Sequence, residues 1–99
     1  INIISADNAT PGGKVALVWG FHLGMFTLGG NTCTGTELGI RKPRLLGIVF
    51  ANQSGTATYS FFIPAISFLD FEVHLQAIDI ETCQTSNIVS QTIRKKGDE

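Results

Sequence analysis

Residues 71–93, FEVHLQAIDIETCQTSNIVSQTI, contain two runs of alternating character joined by a polar turn that carries one of the chain's two cysteines. Phe71, Val73, Leu75 and Ala77 fall on one face of the first run, and Glu72, His74, Gln76 and Ile78 on the other. This is the period of two expected of a half-buried strand. The second run continues through Ile88, Val89 and Ser90 to Ile93. The intervening Asp, Glu, Thr, Ser and Asn residues bond their own backbone and favour turns. The stretch therefore predicts a β-hairpin with Cys83 at its tip.

The same logic extends outward. INIIS at 1–5 predicts a short strand, set apart from the rest by the turn cluster ADNATPGG. KVALVWG at 14–20 alternates Val15, Leu17 and Trp19 and predicts a core strand with Trp19 as the central core aromatic. FHLGMFTLGGNTCTG at 21–35 has four glycines and no sustained period, and is expected to be a long excursion from the body of the domain. Residues 37–40 predict a brief edge strand, guarded by Arg41, Lys42 and Pro43. RLLGIVFA at 44–51 and TATYSFFI at 56–63, joined by the turn NQSG, predict a second hairpin, with 64–69 as its link to the first. Expected core residues are Val15, Leu17, Trp19, Leu45, Val49, Tyr59, Phe61, Val73, Leu75 and Ile88.

No helical period persists over three turns. Six to seven short strands, with turn signals about every ten residues, predict an all-β, antiparallel Ig-like β-sandwich with a small closed barrel as the alternative. An antibody-type domain places its Trp between two cysteines; here Trp19 precedes both. The 99 residues form one domain over 1–93, and a charged tail, Arg94 to Glu99, follows.

Charged residues make up only 15% of the chain and the net charge is −1, so the basic footprint of a nucleic-acid binder is missing. No apolar run reaches the roughly 20 residues of a membrane-spanning helix. A first residue other than Met favours a processed secreted chain over a fragment. Two cysteines in an uncharged β chain are most simply one disulfide, Cys33–Cys83, formed in an oxidising compartment. Closing a loop of about 50 residues would contribute on the order of 4 kcal/mol. Two unrelated buried thiols are the alternative, against which both cysteines lie in Thr/Gly/Asn-rich turns; no metal-ligand spacing surrounds them.

The segments VALVWGFHLGMF, LGIRKPRLLGIVFANQSGTATYSFFIP and VHLQAIDIETCQTSNIVSQTI together resemble an exported β-sandwich module that recurs in secreted and surface proteins of environmental bacteria. The resemblance covers about residues 10–93 and is most specific at Val18-Trp19-Gly20, around Gly55, at Leu75-Gln76-Ala77, and at Cys83 with Ser86-Asn87. It implies an extracellular, disulfide-linked domain without catalytic residues.

Chemistry has few other footholds. His22 and His74 lack motif context, and no serine sits in a nucleophile elbow, so no enzyme activity and no cofactor are expected. Asp70, Glu72, Asp79 and Glu81 bracket one strand, where alternating solvated acids outweigh a Ca²⁺ site, and no metal site is assigned. Asn8 and Asn52 head Asn-x-Ser/Thr patterns in turns and are candidate glycosylation sites. The remaining expectation is a structural subunit, on the cell surface or outside it, that self-assembles into a filament, pilus-like fibre or surface layer with copies of itself as partner. Ile1, Ile3 and Ile4 of the N-terminal strand and Phe21, Met25 and Phe26 of the apolar segment are its contact residues. The alternative is a secreted module binding carbohydrate or another ligand, with a surface glycan as partner.

Overall fold

A computed structural model of the chain describes residues 2–61 and 71–93. They form eight strands: β1 (Asn2–Ala6), β2 (Lys14–Gly20), β3 (His22–Thr27), β4 (Glu37–Arg41), β5 (Arg44–Phe50), β6 (Ala57–Phe61), β7 (Phe71–Asp79) and β8 (Val89–Ile93). All pairings are antiparallel. The expected all-β antiparallel sandwich with one disulfide is therefore what forms, with eight strands where six or seven were predicted. Ile1, the linker at 64–69, the tail at 94–99 and the side chain of Phe61 lie outside the described residues.

Local chemistry explains the central element. β2 and β3 are separated only by Phe21, and β4 and β5 only by Lys42 and Pro43. β2 pairs with β5 while β3 pairs with β4, so 14–50 is one long hairpin interrupted by a bend. At that bend Lys42 adopts a left-handed φ of 46°, and Pro43, with no N–H to donate, follows it. Gly20 completes the corner: a β-carbon there would stand 2.4 Å from Ile40 Cγ2 and 3.1 Å from the Arg41 carbonyl oxygen. Any larger residue there would have to displace the buried Ile40 side chain.

The distal half of this hairpin folds back over the central sheet, whose strand order is β5-β2-β7-β8. Leu38 and Ile40 of β4 are 1% and 0% exposed and pack on Val18 and Ile78, with Leu28, Cys33 and Ile88 closing the cluster. The opposite face of the sheet carries the main core. There Val15 and Leu17 of β2 and Leu75 and Ala77 of β7 meet Ala57 and Tyr59 of β6, beneath the two-stranded layer β1-β6. The central sheet is thus sandwiched on both sides, and residues 74–79 of β7 are buried without interruption.

Double coverage makes polar satisfaction obligatory. Gln76 accepts a hydrogen bond from the Gly39 N–H of the folded-back layer at 2.9 Å and donates to the Ser86 carbonyl at 2.9 Å. Tyr59, a buried aromatic of the main core, donates to the Val15 carbonyl at 2.7 Å; burial pushes its hydroxyl pKa up to about 12.

Several expectations are corrected. Residues 21–27 form a bend and a strand, not an irregular excursion. The predicted hairpin of 44–63 does not exist: β5 pairs with β2, while β6 crosses to the other layer and pairs with β1, Ile4 opposite Tyr59. Trp19 is only half-buried against the main core, because it lies one residue before the end of β2 at the corner, its ring edge-on to Phe21 at 5.1 Å and under the Arg44 guanidinium at 5.7 Å. Leu45 is 59% exposed rather than buried. The register shift between Leu17 and Val18 puts Leu45 opposite Val18 but Val49 opposite Val15, so the bulge throws the two onto opposite faces. Val49, Val73 and Ile88 are half-buried, each against a core cluster.

Truncating the folded-back layer should be severe. Leu38→Ala is expected to lower the unfolding free energy by about 2–5 kcal/mol in denaturant titration, and Gly20→Ala by about 1–3 kcal/mol through overpacking. A loss below about 1 kcal/mol for Leu38→Ala would contradict the burial of β4.

Candidate functional site

Two features of the surface stand out: a polar-rimmed cleft on the main-core side and two apolar strand edges. The cleft arises because the central sheet is four strands wide and the β1-β6 layer only two. Beyond β1 the layer above β7 and β8 stops, leaving a space of about 450 Å³ between residues 4–9 and residues 84–89.

Asp79 fixes one end of it. This carboxylate, 8% exposed, closes β7 and is tied to the segment after β1: the Thr10 N–H donates to Oδ2 at 2.8 Å and the Thr10 hydroxyl to the same oxygen at 2.9 Å. The Glu81 N–H donates to Oδ1 at 2.9 Å. Burial alone would raise its pKa, but the hydrogen bonds from Thr10, Glu81 and Thr82 outweigh that and hold the carboxyl below its ordinary value. On the opposite wall the Ser86 hydroxyl accepts the Ala77 N–H at 2.9 Å and donates to the Asn87 carbonyl at 2.7 Å. These contacts hold the turn and the 6–10 segment at a fixed spacing. The rim between them is supplied by exposed Asn8, Gln84, Thr85 and Asn87.

The apolar edges lie elsewhere. On β3, Leu23, Met25 and Phe26 are exposed, Met25 to 72%; on β5 the same holds for Leu45, Leu46, Ile48 and Phe50, Phe50 to 67%. Each strand has a neighbour on one side only among the described residues. No charge interrupts 45–50.

The expected contact residues are only partly gathered. Met25 and Phe26 belong to the β3 edge, and Phe21 packs on Trp19 at the corner. Ile3 is exposed on β1, but Ile4 points into the main core, and β1 is already paired with β6 of its own chain. Asn8 is exposed at a left-handed φ of 63° on the cleft rim. Asn52 is exposed too, its Oδ1 accepting the Ser54 and Thr56 N–H groups at 2.9 and 3.0 Å. The carboxylates do not converge: Asp79 is consumed by the turn, Asp70 lies outside the described residues, and no group of three metal-ligating side chains gathers among the described residues. Also among the described residues, no helix is long and apolar enough to cross a membrane.

One constellation had no sequence signal. His74, buried on β7, lies opposite Ser90 of β8, and Nδ1 stands 2.7 Å from the Ser90 hydroxyl. Glu72 stops 3.8 Å from Nε2, beyond hydrogen-bond reach. The pair satisfies a buried imidazole; only the cross-strand register, invisible before the partner strand is aligned, brings it together. No protein-family model, curated protein or solved structure matches the chain.

The Asp79 lock carries a pH signature. A carboxyl depressed by folding contributes stability that is present above its unfolded pKa of about 3.9 and is lost as pH falls through the lower folded value. Acid unfolding followed by fluorescence should show this fall, and Asp79→Asn should flatten it. Asp79→Ala, which strands the donors of Thr10, Glu81 and Thr82, is expected to cost about 1–3 kcal/mol at neutral pH.

Proposed function

We propose that this chain is an extracellular, non-enzymatic structural subunit that self-assembles into a filament, pilus-like fibre or surface layer, its partner being copies of itself. The observation that supports the reading is the pair of uncovered apolar strand edges, β3 and β5. Edge strands of monomeric proteins are ordinarily guarded by charge, proline or a covering element, because unpaired N–H and C=O groups pair readily with another chain. β5 has only Arg44, at its start, and β3 only His22. The other outer strand of the central sheet, β8, shows the contrast with exposed Ser90, Gln91 and Thr92.

Two adhesive edges on different strands also have a geometric consequence. A molecule with one such edge closes into a dimer, whereas a second edge allows contacts to repeat without closing, and that produces a fibre or layer. The disulfide and the resemblance to exported modules favour a place outside the cell. Donation of the N-terminal strand, with Ile1, Ile3 and Ile4 as contacts, is not part of this reading, since β1 is occupied by β6. The β3 residues Met25 and Phe26 remain in it, and β5 joins them.

Electron microscopy and light scattering of the purified chain test the reading. Ordered polymers are expected for the native protein. Met25→Ser/Phe26→Ser and Ile48→Ser/Phe50→Ser should each raise the concentration needed for assembly by at least about tenfold, equivalent to about 1.4 kcal/mol, while the exposed positions leave the monomer folded. A native protein that stays monomeric at high concentration would remove the proposal.

A further inference from the structure

We infer that the cleft between β1 and residues 84–89 is a binding site for a neutral oligosaccharide. Four side chains on its rim, Asn8, Gln84, Thr85 and Asn87, are exposed, and none makes a side-chain hydrogen bond among the described residues. Amides and hydroxyls both donate and accept, which is the complement that the hydroxyl groups of a sugar require. Beside them, half-buried Ile4 and Val89, 43% exposed, supply aliphatic surface for the C–H face of a sugar ring. The volume, about 450 Å³, falls in the range of small-molecule sites.

Charge narrows the ligand class. No Lys, Arg or His lines the cleft among the described residues, so an anionic glycan or a phosphate would find no counter-charge. Of the two carboxylates present, Asp79 has both oxygens occupied, and Asp7 Oδ1 accepts the Thr56 hydroxyl at 3.0 Å. For a cation, no group of three metal-ligating side chains converges here among the described residues. A peptide strand added to β1 would draw on main-chain groups and leave the four rim side chains without a role. The backbone that carries Gln84, Thr85 and Asn87 is held by Asp79 and Ser86, and that of Asn8 by Thr10 on Asp79, so a ligand need not order the main chain, which lowers the entropy lost on binding.

The site is independent of the β3 and β5 edges, and its test does not depend on assembly. Isothermal titration of the whole chain with maltotetraose, cellotetraose, mannotetraose and chitotetraose is expected to show binding to at least one, with a Kd of about 1 mM or tighter. Asn87→Ala and Thr85→Val should each weaken that binding about tenfold, with circular dichroism confirming that both variants remain folded. Trigalacturonate should bind more weakly than the neutral sugar. Two outcomes would overturn the inference: no heat with any of the four sugars, or binding that neither variant alters.

Discussion

The covalent tie between Cys33 and Cys83 holds the tips of two hairpins together, and the layering of the molecule depends on it. Cys33 lies in the loop at the far end of the 14–50 hairpin and Cys83 in the turn between β7 and β8, with Cα atoms 5.3 Å apart. Because β2 starts beside that same turn, the Ile80 N–H donating to the Lys14 carbonyl at 2.9 Å, the far end of the hairpin must return to where its first strand began. A strand pair of this length can do so only by bending sharply, which is what Gly20, Lys42 and Pro43 permit. The return lays Leu38 and Ile40 on Val18 and Ile78 and gives the central sheet its second buried face.

Everything that distinguishes the surface follows from unequal coverage of that sheet. On one side two strands cover part of four, leaving the cleft whose walls are locked by Asp79 and Ser86. On the other side β4 takes the buried positions, while β3, one strand further out, keeps Leu23, Met25 and Phe26 in solvent. The bulge in β5 contributes in the same way, because it turns Leu45 out and leaves an apolar edge without a neighbour on its far side. Polar groups caught between the layers are each answered, and no buried side-chain nitrogen or oxygen lacks a partner among the described residues. Such networks are destabilising when partly satisfied, so they also fix how the layers sit on one another.

Much of this was legible in the sequence where the signal is local. The alternation of Val73, Leu75 and Ala77, the turn residues around Cys83 and the low charge lead directly to an all-β chain with a stapled hairpin. What was not legible depends on pairing at a distance. The four glycines of 21–35 hide β3, whose regularity comes from its register with β4 and not from its own pattern. The alternation of 57–61 suits the opposite layer as well as it would suit a place beside β5, so periodicity cannot choose its partner. Leu45 was misplaced by a one-residue bulge, the smallest change able to reverse a face. For the candidate site, the sequence marks Asn8 only as a turn residue heading an Asn-x-Thr pattern. Its proximity to Gln84, Thr85 and Asn87 follows from Thr10 meeting Asp79, 69 residues away. His74 and Ser90 likewise become neighbours only across two paired strands.

The account rests on the staple holding a separate layer in place, and one amide reports on that directly. The Gly39 N–H donates to the Gln76 side chain across the layer boundary, whereas the β2 amides at the sheet centre belong to strands the staple does not touch. Native-state hydrogen exchange of the intact chain and of Cys33→Ser/Cys83→Ser measures both. Loss of the staple should open β3 and β4 locally, abolishing protection at Gly39 while Leu17 keeps protection set by global unfolding. Equal loss at Gly39 and Leu17, or retained protection at Gly39, would contradict the view that this disulfide holds the folded-back layer on the central sheet.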